Sequence, residues 1–283
     1  MIKKTILFAS AAFLVACGSN STEKSEGTEA VVDTAKKEVV TQPTNELADF
    51  KFRTLVINIP SPFEIISLLQ KSGTAYKADL ANATDNAKKY TTTTKKGLNY
   101  GVYIVDLVYL SSNDHFSEVK NYFTTSAGIA KSLEFSDSFE HIVGSRFENN
   151  IDKKDSINVI MDQVYTEMDN YLRSNDRLLT ATQILVGSWI ESQYIATSQL
   201  KDEAQTEANK VSFQKLLDQS FASKKLIDIL KDYEKEKELK SVIDGIKELD
   251  KLYSGLHTEK DMTKAELEKS LAKLKDIRSK IVN

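Results

Sequence analysis

Ile157-Asn158-Val159-Ile160-Met161-Asp162-Gln163-Val164-Tyr165-Thr166-Glu167-Met168-Asp169-Asn170-Tyr171-Leu172 is the stretch that decides the fold class. Ile157, Ile160, Met161, Val164, Met168, Tyr171 and Leu172 recur at intervals of three and four, which lines one face of a helix and is incompatible with the two-residue alternation of a half-buried strand. The same spacing runs through most of the chain. Upstream, Ser61-Pro62-Phe63-Glu64 is a helix start: Ser61 can cap, Pro62 takes the first helical position where its missing N–H costs nothing, and Glu64 can complete a capping box. Helices are expected over 62–71, 92–111, 114–132, 137–149, 156–173, 176–200, 207–221, 223–233, 236–256 and 264–282. With 3 prolines and 10 glycines in 283 residues, long regular elements are favoured over a loop-rich sandwich, and 41% apolar content is enough to bury a core. The expected fold class is all-α, a multi-helix bundle or stacked helical hairpins.

Further along, Leu239, Val242, Ile246, Leu249, Tyr253 and Leu256 follow a/d spacing, His257 to Met262 interrupt it, and Leu267, Leu271, Leu274 and Ile281 resume it. Thr263-Lys264-Ala265-Glu266 reads as a capping box at the restart. Two short heptad runs joined by a brief break close best as an antiparallel, coiled-coil-like hairpin over 234–283 with a solvated Glu/Lys face. Glu236 with Lys240 and Asp276 with Lys280 are acid-first pairs four residues apart.

Towards the N-terminus the composition changes. Ser19 to Glu46 is rich in Ser, Thr, Glu and Lys and has no aromatic residue, so it cannot bury enough apolar surface to offset its ordering entropy. It reads as a disordered tether over 17–49, followed by a helical body over 50–233 whose lead-in, Leu55-Val56-Ile57-Asn58-Ile59, is extended. At the very start Lys3 and Lys4 precede an apolar run from Ile6 that ends in Leu14-Val15-Ala16-Cys17. A basic n-region, an apolar stretch far short of the ~20 residues that span a bilayer, and a small residue before a cysteine together resemble a bacterial lipobox. Residues 1–16 are then a lipoprotein signal peptide, and Cys17, the sole cysteine, is the lipid acceptor. With that thiol lipidated, no internal disulfide can form.

Charge narrows the partners. Net charge is -3, removal of residues 1–16 takes away two lysines and no acid, and the two signs are interspersed, so no basic stripe suits nucleic acid. The expected partners are the membrane, through lipid on Cys17, and an envelope protein.

Two helices share a pattern. Gly101-Val102-Tyr103-Ile104-Val105-Asp106 with Tyr109 resembles Gly187-Ser188-Trp189-Ile190-Glu191 with Tyr194, although the glycine-to-acid distance differs by one residue. Either a helical-hairpin unit was duplicated, or two buried helices converged. Asp106 and Glu191 lie among apolar and aromatic neighbours, and a buried acid must find a partner or take up a proton. Asn99 and Tyr103 share a helical face with Asp106 and offer partners locally. Two readings stand: Asp106 and Glu191, with Tyr103, Trp189 and Tyr194, line a pocket between helices for a polar or cationic ligand, or they are structural acids that fix helix register.

Other chemistry finds no footing. His115, His141 and His257 are scattered, no zinc-binding spacing exists, Gly187-Ser188-Trp189 lacks the context of a nucleophile elbow, and no glycine-rich phosphate loop is present. No enzyme activity, metal or cofactor is expected. The 11 tyrosines read as an outer core shell with buried rings and wet hydroxyls.

The segments Asn58-Ile59-Pro60-Ser61-Pro62-Phe63-Glu64, Leu98-Asn99-Tyr100-Gly101-Val102-Tyr103 and Gly187-Ser188-Trp189-Ile190-Glu191 resemble a group of uncharacterised, all-helical lipoproteins of the Bacteroidota, over about residues 50 to 200. That resemblance implies a lipid-anchored envelope protein and no particular activity. Gly18 in place of an acid after the cysteine resembles lipoproteins sent to the outer membrane, here facing the periplasm. The functional expectation is a non-catalytic interaction or binding module, with a small-molecule sensor or receptor component as the alternative.

Overall fold

The computed structural model describes residues 45–56, 59–135, 146–147, 149–150 and 153–283. Among them are ten α-helices and no strands, an all-α multi-helix bundle as the periodicity predicts. They are α1 (Asn45–Val56), α2 (Pro62–Lys71), α3 (Thr93–Ser112), α4 (Phe116–Ser132), α5 (Lys154–Ser174), α6 (Leu178–Leu200), α7 (Lys210–Ser220), α8 (Ala222–Leu230), α9 (Lys237–Tyr253) and α10 (Lys264–Val282). Between α2 and α3 the chain makes two short 3₁₀ turns, Ala78–Leu80 and Thr84–Lys89.

Helices α3 and α6 form the axis of the bundle. Every residue from Gly97 to Ser112 on α3 and from Thr180 to Leu200 on α6 is buried. A helix that is apolar or small and polar on all sides has no face for water, so it must sit at the centre. The two run parallel, because Thr94 meets Gln183, Gly101 meets Ser188 and Tyr109 meets Gln199 in advancing order. Helices α2, α4, α5 and α10 pack around this pair.

The axis is held at backbone distance. A Cβ on Gly101 would lie 2.2 Å from the Ile184 carbonyl oxygen, and one on Gly187 would lie 1.9 Å from the Leu98 carbonyl oxygen. Each glycine therefore meets the residue three positions before the other, a reciprocal crossing about a local two-fold relation. The Ser188 hydroxyl lies 3.3 Å from the Gly101 carbonyl and 2.9 Å from that of Ile184, so it is bonded within the crossing. This contact accounts for the shared pattern: each helix needs a missing side chain where the backbones touch and bulky ones beside it. The elements that follow do not repeat, since α4 packs along α3 whereas α7 touches α6 only lightly.

The C-terminal hairpin is antiparallel, with Gly245 against Ile277 and Glu248 paired with Lys273. All its a/d residues are buried. So are Ile243 and Ile277, because the hairpin packs on the body as well as on itself: α10 lies along α6 and reaches α3.

Several local expectations are corrected. Leu55 and Val56 end α1 and are not an extended lead-in, and α1 begins at Asn45, inside the segment read as tether. Apolar Phe52 from this helix is buried in the core while Phe50 is exposed, which is why a helix forms there despite the polar surroundings. Ser61 caps α2 by accepting from the Phe63 N–H at 3.3 Å, but Glu64 pairs with Lys215 on α7. Lys240 pairs with Asp244, not Glu236, while Asp276 does pair with Lys280 at 2.9 Å. Thr263 accepts from the Glu266 N–H, yet the full two-way box forms at Thr258 and Asp261 in the loop before it. Tyrosine hydroxyls at 90, 103 and 109 donate to the backbone carbonyls of Val282, Ala83 and Lys77. The segments read as signal peptide and tether up to residue 44, with Cys17, as well as Ile57, Asn58, His141 and nearly all of the helix expected over 137–149, lie outside the described residues.

Candidate functional site: a buried acid pair with an arginine

Three helices deliver one charged group each to the same place. Asp106 comes from the middle of α3, Glu191 from α6 and Arg278 from α10, and both acids have no exposed surface. Arg278 engages Glu191 through two parallel bonds, Nε to Oε2 at 2.6 Å and Nη2 to Oε1 at 2.7 Å. This two-point geometry suits a planar guanidinium and no lysine. Arg278 Nη2 also donates to the Leu80 carbonyl at 3.0 Å, and the guanidinium carbon stands 4.4 Å from the centre of the Tyr194 ring.

The approach of α10 is set by its C-terminal end, whose last carbonyls have no partner within the helix. Lys95 Nζ donates to the Lys280 carbonyl at 2.7 Å and the Asn99 side-chain amide donates to that of Ile281 at 2.8 Å. Cation and amide complement the negative end of the helix. Arg278 sits one turn earlier, opposite Glu191.

Asp106 has the backbone N–H of Asn82 on its Oδ2 at 3.0 Å. That N–H is aimed by the 3₁₀ segment, where the Asn82 side chain is tied to the Tyr90 hydroxyl at 3.0 Å and to Asn86 at 2.7 Å. Its other oxygen, Oδ1, is buried and has no donor. Burial, then the neighbouring Glu191 charge, push the Asp106 carboxyl well above the ordinary 3.8, and Arg278 and the Asn82 N–H offset this only in part. Asp106 is thus the acid that its surroundings drive toward the protonated form, while Glu191 is the one that Arg278 pairs with.

The sequence-derived residues divide. Asp106 and Glu191 do come together, and Tyr194 stacks beneath Arg278. Tyr103 turns its hydroxyl to the Ala83 carbonyl at 2.9 Å and packs on Tyr90 and Tyr122. Trp189 belongs elsewhere: two residues along a helix turn the side chain by about 200°, and its indole N–H donates to the Gln219 carbonyl at 3.1 Å, beside Tyr253. The expectation of local partners from Asn99 and Tyr103 fails for the same kind of reason, since both bond to other segments and Asp106 is met by Asn82. Arg278 and Asn82 were missed. A signal for Arg278 existed, because it is the only arginine in the lysine-rich span from 234 to 283.

On the solvent side the cluster opens into a cleft of about 330 Å³ lined by Asn82, Asn86, Tyr194, Lys275, Arg278 and Ser279. Away from it, His115 stacks on Tyr76 at 3.8 Å. Among the described residues no group of three or more His, Cys, Asp or Glu side chains is placed to hold a metal ion.

The raised Asp106 value makes stability depend on pH. The folded-state value of Asp106 is raised, so its contribution is complete below the unfolded value near 3.8 and is lost as pH rises through the folded one. Urea unfolding from pH 4 upward is expected to show this decline, and Asp106→Asn, which keeps an N–H for Glu191, should flatten it. An unchanged slope in the variant would place the proton elsewhere.

No family model, curated protein or solved structure matches the chain.

Proposed function

We propose that the protein is a lipid-anchored component of the bacterial cell envelope whose helical body is a non-catalytic binding module, held at the outer membrane and facing the periplasm. The observation that carries this reading is Leu14-Val15-Ala16-Cys17 behind Lys3 and Lys4, in a chain with no other cysteine. Membership in the helical Bacteroidota lipoproteins that the sequence resembles is part of the same reading. Among the described residues no helix is long and apolar enough to cross a membrane, so the lipid would be the attachment. The absence of catalysis is supported by the acid pair, whose two carboxyls are closed in and matched by an internal arginine.

A second reading, a sensor or receptor for a small molecule, is favoured by the cleft over Arg278 and Tyr194. Arg278 already fills the place a cationic ligand would take beside Glu191, which argues against a cation as the ligand.

Cys17→Ser tests the anchor. It should shift the protein from the membrane fraction to the soluble fraction or leave an uncleaved precursor. Normal processing with no lipid on the wild-type protein by mass spectrometry would overturn the reading. Crosslinking in intact cells, followed by mass spectrometry, tests for an envelope partner.

A further inference from the structure

We propose that the cleft between the 81–86 segment and α10 binds a small oxyanion, a carboxylate or a phosphate, through Arg278 and Lys275. This rests on the reading of the body as a binding module and assigns it a ligand class.

The donor count of Arg278 is the first support. A guanidinium has five N–H groups. The Nε hydrogen and one on Nη2 go to Glu191, and the other on Nη2 goes to Leu80. Both hydrogens of Nη1 have no partner among the described residues, on a side chain that lines the cleft and keeps 14% of its surface exposed. Two hydrogens on one nitrogen, held by three bonds and a stacked ring, are a preformed donor pair.

Lys275 is the second. It lies three residues before Arg278 on α10, so both side chains fall on one face, and it is exposed and without an ion pair among the described residues. Glu191 balances Arg278, which leaves the Lys275 charge uncompensated at the rim. The Asn283 backbone oxygen at the same rim is engaged by Lys95 at 2.6 Å, so it does not compete for Lys275. The Ser279 hydroxyl and the Asn86 amide supply further polar contacts, and the Tyr194 ring gives one apolar wall. A volume of about 330 Å³ suits a small ligand. Cations are repelled and a neutral ligand would leave Lys275 unmatched; an oxyanion meets both donors at once.

The test uses the full-length protein in detergent, with thermal unfolding and calorimetric titration against inorganic phosphate and, separately, succinate, each compared with chloride at equal ionic strength. Saturable stabilisation by one or both probes is expected. Lys275→Ala should weaken it at least tenfold and Lys275→Glu should abolish it, with the unliganded melting temperature unchanged, while Lys224→Ala on α8 should have no effect. Response to phosphate alone identifies a phosphate ligand, and response to succinate alone a carboxylate. No saturable response beyond chloride, or equal loss in the Lys275 and Lys224 variants, overturns the site. The binding-module reading is then judged separately: a partner captured by crosslinking keeps it, and no partner removes it too.

Discussion

Arg278→Ala is expected to lower the unfolding free energy by about 3–5 kcal/mol, the usual cost of stranding a buried charge by removing its partner. Glu191 has no exposed surface, and the alanine cannot replace the two bonds of 2.6 and 2.7 Å or the one to Leu80. Arg278→Lys should recover only part of the loss, since an ammonium cannot meet both carboxylate oxygens in one plane. Arg278→Met combined with Glu191→Leu should come close to wild type, because replacing a buried pair by apolar residues of similar volume is often neutral or stabilising. Urea denaturation at neutral pH is the measurement. A loss below about 1 kcal/mol for the single alanine variant would mean that water reaches Glu191 and that the pair is not buried in solution.

Gly187→Ala is expected to destabilise by at least the ~3 kcal/mol at the top of the ordinary range for overpacking. The added methyl would sit 1.9 Å from the Leu98 carbonyl oxygen, and this neighbour is helical backbone that cannot rotate away. Gly101→Ala meets the Ile184 carbonyl at 2.2 Å and should behave alike. Gly128 on α4 is the contrast, with nothing within 4 Å of its Cβ position. There alanine should stabilise by about 0.5–1 kcal/mol, the helical preference over glycine. Melting temperatures of the three variants decide the matter: equal effects at 101, 187 and 128 would show that the two central helices do not touch through their backbones.

Much of the architecture can be read from local pattern, because helix spacing is a property of neighbours along the chain. The boundaries of α2, α3 and α6 and the heptads of α9 and α10 follow from it. Reading Leu55 and Val56 as extended failed because α1 is held by tertiary contact: Phe52 enters the core, Arg173 reaches Asp49 at 3.3 Å, and neither is visible in a short polar window. The burial of Asp106 and Glu191 was legible from their apolar neighbours. Their meeting was one of the two readings the sequence allowed, and what decides it is the register in which two helices cross, which neither helix shows alone. Arg278 is harder still to see, being 87 residues from Glu191 and apparently one more basic residue on a charged hairpin. Trp189 shows the opposite error, in which closeness to Glu191 in sequence suggested a shared site that helix rotation forbids.

The acid cluster also bears on the order in which the chain can mature. Asp106 and Glu191 emerge from the ribosome long before Arg278, and the link back to Leu80 closes a separation of 198 residues. Until α10 is made, Glu191 lacks the guanidinium that meets both of its oxygens in the folded chain. Long-range closure of this kind slows folding. If the chain crosses a membrane before it folds, as the proposed lipid anchor would require, that delay would help keep it unfolded for passage, since the arginine that completes the cluster is made 87 residues after Glu191.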